Sequence, residues 1–238
     1  MVTKSQIKLV RSLQQKKYRD ELGLFVAEGK KLVEELSKVF VSELIVTPQD
    51  ATQTQIEQMT ALRSPQGYIG VFRKKERSLS ELSELDKDSL ILVLDGVQDP
   101  GNLGTIIRTA DWFGIKQIVC SCDTADCYNP KVVQATMGAI SRVSVDYTDL
   151  LTFLKPYIQK IPIYGTLLEG ENIYKQPLSA NGIIIMGNEG NGITEPLRKL
   201  IDKPLLIPSY AHGETSESLN VAVATAITLA EFRRRTVG

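Results

Sequence analysis

Three polar stretches each follow an apolar run and carry side chains able to orient a reactant. The first is Asp99-Pro100-Gly101-Asn102-Leu103-Gly104, with Arg108 six residues beyond Asn102. Gly101 and Gly104 beside Asn102 suit a strand-to-helix turn, where backbone N–H groups approach a ligand and the helix N-terminus favours an anion. A well-capped helix bearing a solvated arginine has the same spacing, and spacing alone favours that plainer reading. The second stretch is Gly187-Asn188-Glu189-Gly190-Asn191-Gly192, directly after the apolar run Ile183–Met186. Capping recruits Asn, Asp or Ser more readily than Glu, so Glu189 between glycines reads as a residue that braces neighbouring loops. The third is Ile207-Pro208 followed by Ser218-Leu219-Asn220-Val221. Ser218 stands where an N-cap is expected; Asn220 would then fall inside the helix, where asparagine is a poor choice. Three polar loops at strand ends are how α/β proteins build a ligand site.

Other chemistries find little support. No G-x-G-x-x-G follows a strand and no G-x4-G-K-[ST] occurs, which argues against dinucleotide and P-loop enzymes. The single histidine, His212, has no Asp or Cys close by in sequence and reads as a loop residue. Cys120, Cys122 and Cys127 form C-x-C-x4-C without a nearby histidine, so reduced thiols are favoured over a metal site, and an odd number does not pair into disulfides.

Lysine plus arginine and aspartate plus glutamate both number 28, so net charge argues for no polyanionic partner. Distribution says more. Residues 1–31 hold Lys4, Lys8, Arg11, Lys16, Lys17, Arg19, Lys30 and Lys31 against Asp20, Glu21 and Glu28. Such a basic face can hold a phosphate backbone, although solvated helix faces are also lysine-rich. The first residues lack the apolar run of a signal peptide and no stretch is long enough for a membrane span, so a cytoplasmic protein is expected.

The elements that must position these loops fall into two sets. Apolar spacing predicts a helix over 5–18, a strand at 25–27, a helix over 30–39, a strand at 44–46, a helix over 52–62 and a strand at 68–72. The charged, serine-rich stretch 74–89 then reads as a boundary. From Leu90 the pattern is repeated βα: strands at 90–94, 115–120, 143–145, 161–167, 183–186 and 205–207, with helices over 102–113, from Asn129-Pro130, over 150–159, over 195–200 and over 218–235. This predicts an α/β protein with a mostly parallel sheet covered on both faces. The expected domains are a small α/β unit at 1–76, a linker at 77–89 and a larger domain at 90–238.

In wording and order the three loops resemble the motifs of the SpoU (TrmH-type) RNA ribose methyltransferases of the SPOUT superfamily. The similarity runs from about Leu90 to Arg235 and includes Asn129–Val145, while the stretch from Ser12 to Leu36 resembles the RNA-binding domain that many members carry in front. The chain departs from many relatives in a longer link, Ser209–Glu217, before Ser218.

The resemblance implies a deep trefoil-knotted catalytic domain, S-adenosylmethionine as cofactor, a homodimer, no metal, and methyl transfer to a ribose 2′-hydroxyl of RNA. Ribosomal RNA is the expected substrate. Transfer RNA, or a SpoU-like protein that binds RNA without modifying it, are the alternatives. It further implies Asn102, Arg108, Glu189, Ser218 and Asn220 as the catalytic set. Thr166, Leu167, Gly187, Asn188, Ile207 and Leu219 would surround the cofactor, and Lys4, Lys8, Arg11, Lys16, Lys17 and Arg19 would face RNA.

Overall fold

A computed structural model describes residues 1–75, 89–211 and 218–235. The predicted linker, except Ser89, lies outside the described residues, as does His212. The chain divides into two compact units: Met1–Arg77 with Asp126–Arg142, and Ser78–Ala125 with Val143–Gly238.

The first unit begins with helices α1 (Lys4–Ser12) and α2 (Lys16–Leu22), then β1 (Leu24–Glu28), α3 (Lys30–Leu36), β2 (Ser42–Val46), α4 (Gln53–Met59) and β3 (Ile69–Arg73). Thr3 and Thr52 start α1 and α4 with reciprocal capping boxes to Gln6 and Gln55. The strands form an antiparallel sheet in the order β1-β3-β2. Its core joins Val10 and Leu13 to Val26, Ile56, Met59, Ile69 and Val71.

Apolar spacing predicts one helix over 5–18, but the chain breaks at Leu13–Gln15. Arg19 is the physical reason. It is 1% exposed, and its Nη1 donates to the carbonyls of Leu13 (2.9 Å) and Gln14 (3.0 Å). Its Nε and Nη2 donate to Asp126 Oδ2 at 3.0 and 2.7 Å. These donors all point inward, so the expectation that Arg19 faces a phosphate is corrected: it is a buried strut. Lys4, Lys8, Arg11, Lys16 and Lys17 are exposed, Lys16 beside Asp20 at 2.6 Å.

Asp126–Arg142, far along the chain, is part of the same unit. The Tyr128 ring lies 4.7 Å from that of Phe25, Arg142 pairs with Glu35, and the helix Pro130–Thr136 (α6 in chain order) packs on β1. That helix starts where the sequence places it, with Pro130 in its first turn, and the structure adds Asn129 as its cap. A division of the chain into consecutive blocks has no place for this segment, because what holds it is ion pairing and ring contact across more than a hundred residues.

The second unit is built around two strands without polar side chains. Strands β4 (Leu90–Leu94) and β8 (Gly182–Met186) are buried at every position, the mark of a parallel sheet covered on both faces. With β5 (Gln117–Cys120), β6 (Ser144–Tyr147), β7 (Ile163–Asn172) and β9 (Lys203–Leu206) they form a six-stranded parallel sheet, ordered β6-β5-β4-β8-β7-β9 among the described residues. Helices α5 (Pro100–Trp112) and α9 (Val221–Arg234) pack together, with the shorter α7 (Leu150–Leu154) and α8 (Glu195–Arg198) elsewhere in the unit. The predicted helix over 150–159 is α7 followed by a 3-10 turn at Lys155–Tyr157, whose Pro156 supplies no N–H for α-helical bonding.

One part of the sheet departs from regular pairing. In β7, Thr166 and Glu171 both pair with Leu205 of β9, so residues 167–170 make an excursion between two contacts with one partner. Gly170 allows it, since a Cβ there would sit 2.5 Å from the Leu205 carbonyl carbon.

At the end of α9, Glu231 is 5% exposed and accepts from Arg234 Nε and Nη2 and from Arg235 Nε, each at 2.8 Å. Arg234 above all, against burial and with help from Arg235, holds the Glu231 carboxyl below its ordinary value of 4.5. A lowered folded-state pKa contributes stability above the unfolded value, which fades as pH falls through the folded one. Glu231→Gln is therefore expected to be less stable than wild type at pH 7, with the gap closing below the ordinary value of 4.5, as read by urea unfolding at several pH values. Asp126→Ala, which strands the buried Arg19 charge, should lower the unfolding free energy by about 3 kcal/mol in the same assay.

Candidate functional site

The parallel register brings the ends of β4 and β8 together. Leu94 pairs with Met186, and the Asp95 N–H donates to the Met186 carbonyl at 2.9 Å. After β4 the chain turns towards β5, and after β8 it leaves for β9 on the other side of the sheet. This is a topological switch point, where a parallel sheet opens a crevice beyond its carboxyl ends. Two of the three polar stretches emerge there.

The loop after β8 is built tightly. A Cβ on Gly187 would meet the Gly192 carbonyl carbon at 2.2 Å and the Ile193 nitrogen at 2.3 Å, so no other residue fits. Asn188 and Gly192 exchange backbone hydrogen bonds of 2.9 and 3.0 Å. The Asn188 Oδ1 accepts the N–H groups of Gly190 (2.8 Å) and Asn191 (3.0 Å), and its Nδ2 donates to the Gly96 carbonyl at 2.6 Å. Gly96 N–H in turn donates to Ser121 Oγ at 2.8 Å. Buried Asp95 accepts the Thr194 N–H at 2.7 Å, closing the far end of the loop. Glu189 is thereby presented half-buried at the crevice.

The first stretch differs in detail from its sequence reading. Asp99 caps α5, accepting the Asn102 N–H at 2.8 Å, and Pro100 opens the helix. Gly101 and Gly104 therefore lie within the helix, not in the turn before it. The third stretch differs too: Asn220, not Ser218, caps α9, its Oδ1 accepting from Ala222 (2.9 Å) and Val223 (3.3 Å). Asparagine is among the best N-caps, so its presence is explained once the helix start is placed at Val221.

What unites the stretches is a chain of amides. Asn102 Nδ2 donates to Glu189 Oε1 at 2.9 Å, and Asn102 Oδ1 accepts from Asn220 Nδ2 at 2.9 Å. Each orientation fixes the next. The carboxylate can only accept, so Asn102 must turn its NH2 towards Glu189 and its oxygen towards Asn220. Asn220 must then present its own NH2, leaving its oxygen for the helix N–H groups.

The remaining expected residues occupy varied positions. Arg108 is exposed on α5, about 9 Å along the axis from Asn102, and makes no side-chain hydrogen bond or ion pair among the described residues. Ser218 is exposed and outside the amide chain. Thr166 lies on β7 with its hydroxyl 3.6 Å from Met186 Sδ, and Leu167 packs on the sheet core. Gly187 is buried, Ile207 follows β9 half-buried, and Leu219 is 48% exposed before α9. Thr166, Gly187 and Ile207 thus sit at the same end of three adjacent strands, β7, β8 and β9. Sequence reading missed Asp95 as a loop anchor, for which no local signal exists, and Asp99 as a cap, which the following proline could have revealed.

Comparison with known proteins extends this geometry. The SpoU rRNA Methylase family matches residues 89–230, and the MRM3-like substrate binding domain matches residues 4–91. The chain is 32% identical over 241 residues to the 23S rRNA (guanosine(2553)-2′-O)-methyltransferase RlmP of Bacillus subtilis, covering 94% of each. Among solved structures, a TrmH-family protein from Porphyromonas gingivalis is 38% identical with a TM-score of 0.86, covering 99% of both chains. An AdoMet-bound rRNA methyltransferase from Sinorhizobium meliloti is 29% identical with a TM-score of 0.88, covering 100% of this chain and 97% of its own.

The capping role of Asn220 has its own test. Asn220→Ala should cost about 1 kcal/mol of unfolding free energy, whereas Asn220→Asp, which keeps the accepting oxygen, should melt at or near the wild-type temperature in calorimetry.

Proposed function

The chain belongs to the SpoU rRNA Methylase family, and on that premise we propose that it transfers a methyl group from S-adenosylmethionine to a ribose 2′-hydroxyl of ribosomal RNA in the cytoplasm. The observation that carries this reading is the hydrogen-bonded chain Glu189–Asn102–Asn220, which joins all three polar stretches at the switch point.

The residues at the ends of β7, β8 and β9 and just before α9 suit the cofactor's chemistry. Thr166, Leu167, Ile207 and Leu219 offer backbone groups and apolar surface, and Gly187 offers backbone alone; none brings a charged side chain, which matches a ligand without phosphates. When bound, S-adenosylmethionine supplies a methyl group already activated by its sulfonium. The protein's task is to align the hydroxyl for in-line attack, and alignment supplies up to roughly 7–11 kcal/mol. Arg108 is assigned to the hydroxyl and its adjacent phosphate. Its guanidinium has five donors and no acceptor, and it is exposed on α5 without partners among the described residues. Asn102 positions the start of that helix, Glu189 braces it, and Asn220 ties α9 to it. Ser218, outside the amide chain, is assigned to the nucleotide.

In the first unit, the exposed Lys4, Lys8, Arg11, Lys16 and Lys17 are assigned to RNA phosphates. A second copy of the chain is the proposed partner of the catalytic unit, a reading supported by apolar surface at Trp112, 85% exposed at the end of α5, and Val223, 49% exposed on α9.

Arg108→Ala should reduce labelling of ribosomal RNA from methyl-tritiated cofactor by far more than tenfold, a factor that corresponds to about 1.4 kcal/mol of barrier, while calorimetric binding of S-adenosylmethionine stays near wild type. Activity within tenfold would remove Arg108 from the reaction. Asn220→Asp separates the two duties of that residue: it keeps the cap but cannot donate to Asn102, so turnover should fall although melting does not.

A further inference from the structure

A second chain of hydrogen bonds leaves the Gly187–Gly192 loop, and it includes none of Asn102, Arg108, Glu189, Ser218 and Asn220. It starts where the Gly190 and Asn191 N–H groups donate to Asn188 Oδ1, and continues from Asn188 Nδ2 to the Gly96 carbonyl at 2.6 Å. The Gly96 N–H donates to Ser121 Oγ at 2.8 Å, Ser121 Oγ lies 3.0 Å from Thr124 Oγ1, and the Thr124 hydroxyl donates to the Leu94 carbonyl at 3.3 Å. Every member belongs to the second unit.

The direction of each bond is fixed from the two ends. A carbonyl only accepts, so the one hydroxyl proton of Thr124 is committed to Leu94. Ser121 then gives its own proton to Thr124 and keeps a lone pair for the Gly96 N–H. At the other end the Asn188 oxygen is taken by two loop N–H groups, which turns its NH2 towards Gly96. Donors therefore all point from the loop towards the end of β4.

Gly96 couples the two halves. It is buried, has a φ of +71°, and a Cβ on it would meet Asp123 Oδ2 at 3.3 Å and Asn188 Cβ at 3.6 Å. The left-handed residue presents its N–H to Ser121 and its carbonyl to Asn188. Ser121 is itself fixed at the end of β5, its N–H donating to the Leu94 carbonyl at 3.0 Å, and Thr124 behind it is 6% exposed. Without the Ser121 hydroxyl, the buried Gly96 N–H loses its acceptor. The turn that aims the Gly96 carbonyl at Asn188 then loses its anchor. Arg108 and the helix that carries it stand outside this chain.

We propose that Ser121, backed by Thr124, is a positioning residue for S-adenosylmethionine: through Gly96 and Asn188 it sets the backbone of the loop assigned to the cofactor. It rests on the reading that S-adenosylmethionine binds beside that loop.

The full-length protein and its variants are compared by calorimetric titration with S-adenosylmethionine, below all their melting transitions. Ser121→Ala should weaken binding about tenfold, within the range for stranding a buried donor, while KM for ribosomal RNA at saturating cofactor stays at the wild-type value. Thr124→Val should weaken it about threefold, the effect of one neutral hydrogen bond, and Thr124→Ser, which keeps the hydroxyl, should bind as wild type. Asn188→Asp keeps the accepting oxygen for Gly190 and Asn191 but cannot donate to Gly96. Adding Ser121→Ala to it should cost less than about twofold more, because residues of one chain are not additive. Without cofactor, hydrogen exchange across residues 187–192 should quicken in Ser121→Ala. Cofactor affinity of Ser121→Ala within about twofold of wild type, full additivity with Asn188→Asp, or equal binding by Thr124→Val and Thr124→Ser overturns the assignment. Wild type that binds cofactor and methylates RNA, with affinity and exchange unmoved by Ser121→Ala, sinks the positioning role alone. Quickened exchange in a protein whose wild type binds no S-adenosylmethionine sinks the cofactor reading, and with it the role of Ser121 towards the cofactor.

Discussion

The side-chain amide of Asn102 is the interaction on which the catalytic unit turns. It has one donor end and one acceptor end, and each is committed to a different loop: Nδ2 to Glu189 after β8, Oδ1 to Asn220 before α9. Because Glu189 can only accept, the polarity of the whole chain is set from that end and runs through two amides into the N-terminus of α9. Three segments spread over more than a hundred residues of chain are thus held in one orientation by groups that would each be satisfied by water if they stood apart. Asparagine serves where aspartate would not, since only an amide can both accept and donate. The tight Gly187–Gly192 loop and the Asn188 bridge to Gly96 keep Glu189 within reach.

The first unit relies on a different device. Arg19 and Glu28 are nearly inaccessible charges, and each is surrounded by partners that satisfy it: two carbonyls and Asp126 for the arginine, a hydroxyl and an N–H for the glutamate. Isolated charges could not be buried at such depth. Their effect is local and directional. Arg19 ends α1 and draws in the segment from Asp126 to Arg142, while Glu28 anchors the chain leaving α4. Basic residues that look alike in sequence therefore divide into two kinds, Arg19 as internal strut and Lys4, Lys8, Arg11, Lys16 and Lys17 as surface.

Much of this was legible beforehand. The apolar runs at Leu90–Leu94 and Ile183–Met186 read as buried strands, and the alternation of strand and helix after Leu90 led to a mostly parallel sheet. The resemblance of the three polar stretches to SpoU motifs named the family that residues 89–230 match. Boundaries set by side-chain bonding were less accessible. Apolar spacing continues through Leu13–Gln15, and nothing local says that Arg19 will capture those carbonyls. Ser218 and Asn220 are both good caps, and which one starts α9 depends on where Asn102 lies.

The sequence by itself therefore determined the order and type of the buried elements and the residue types offered at each loop, because burial periodicity and glycine, proline and asparagine preferences act over a few residues. Tertiary structure alone decided which of those residues meet. That Asn220 caps α9 while donating to Asn102, and that Arg19 pairs with Asp126 rather than with a phosphate, both follow from contacts between segments far apart in the chain. Such contacts have no period or spacing, and only the folded chain brings their donors and acceptors within 3 Å.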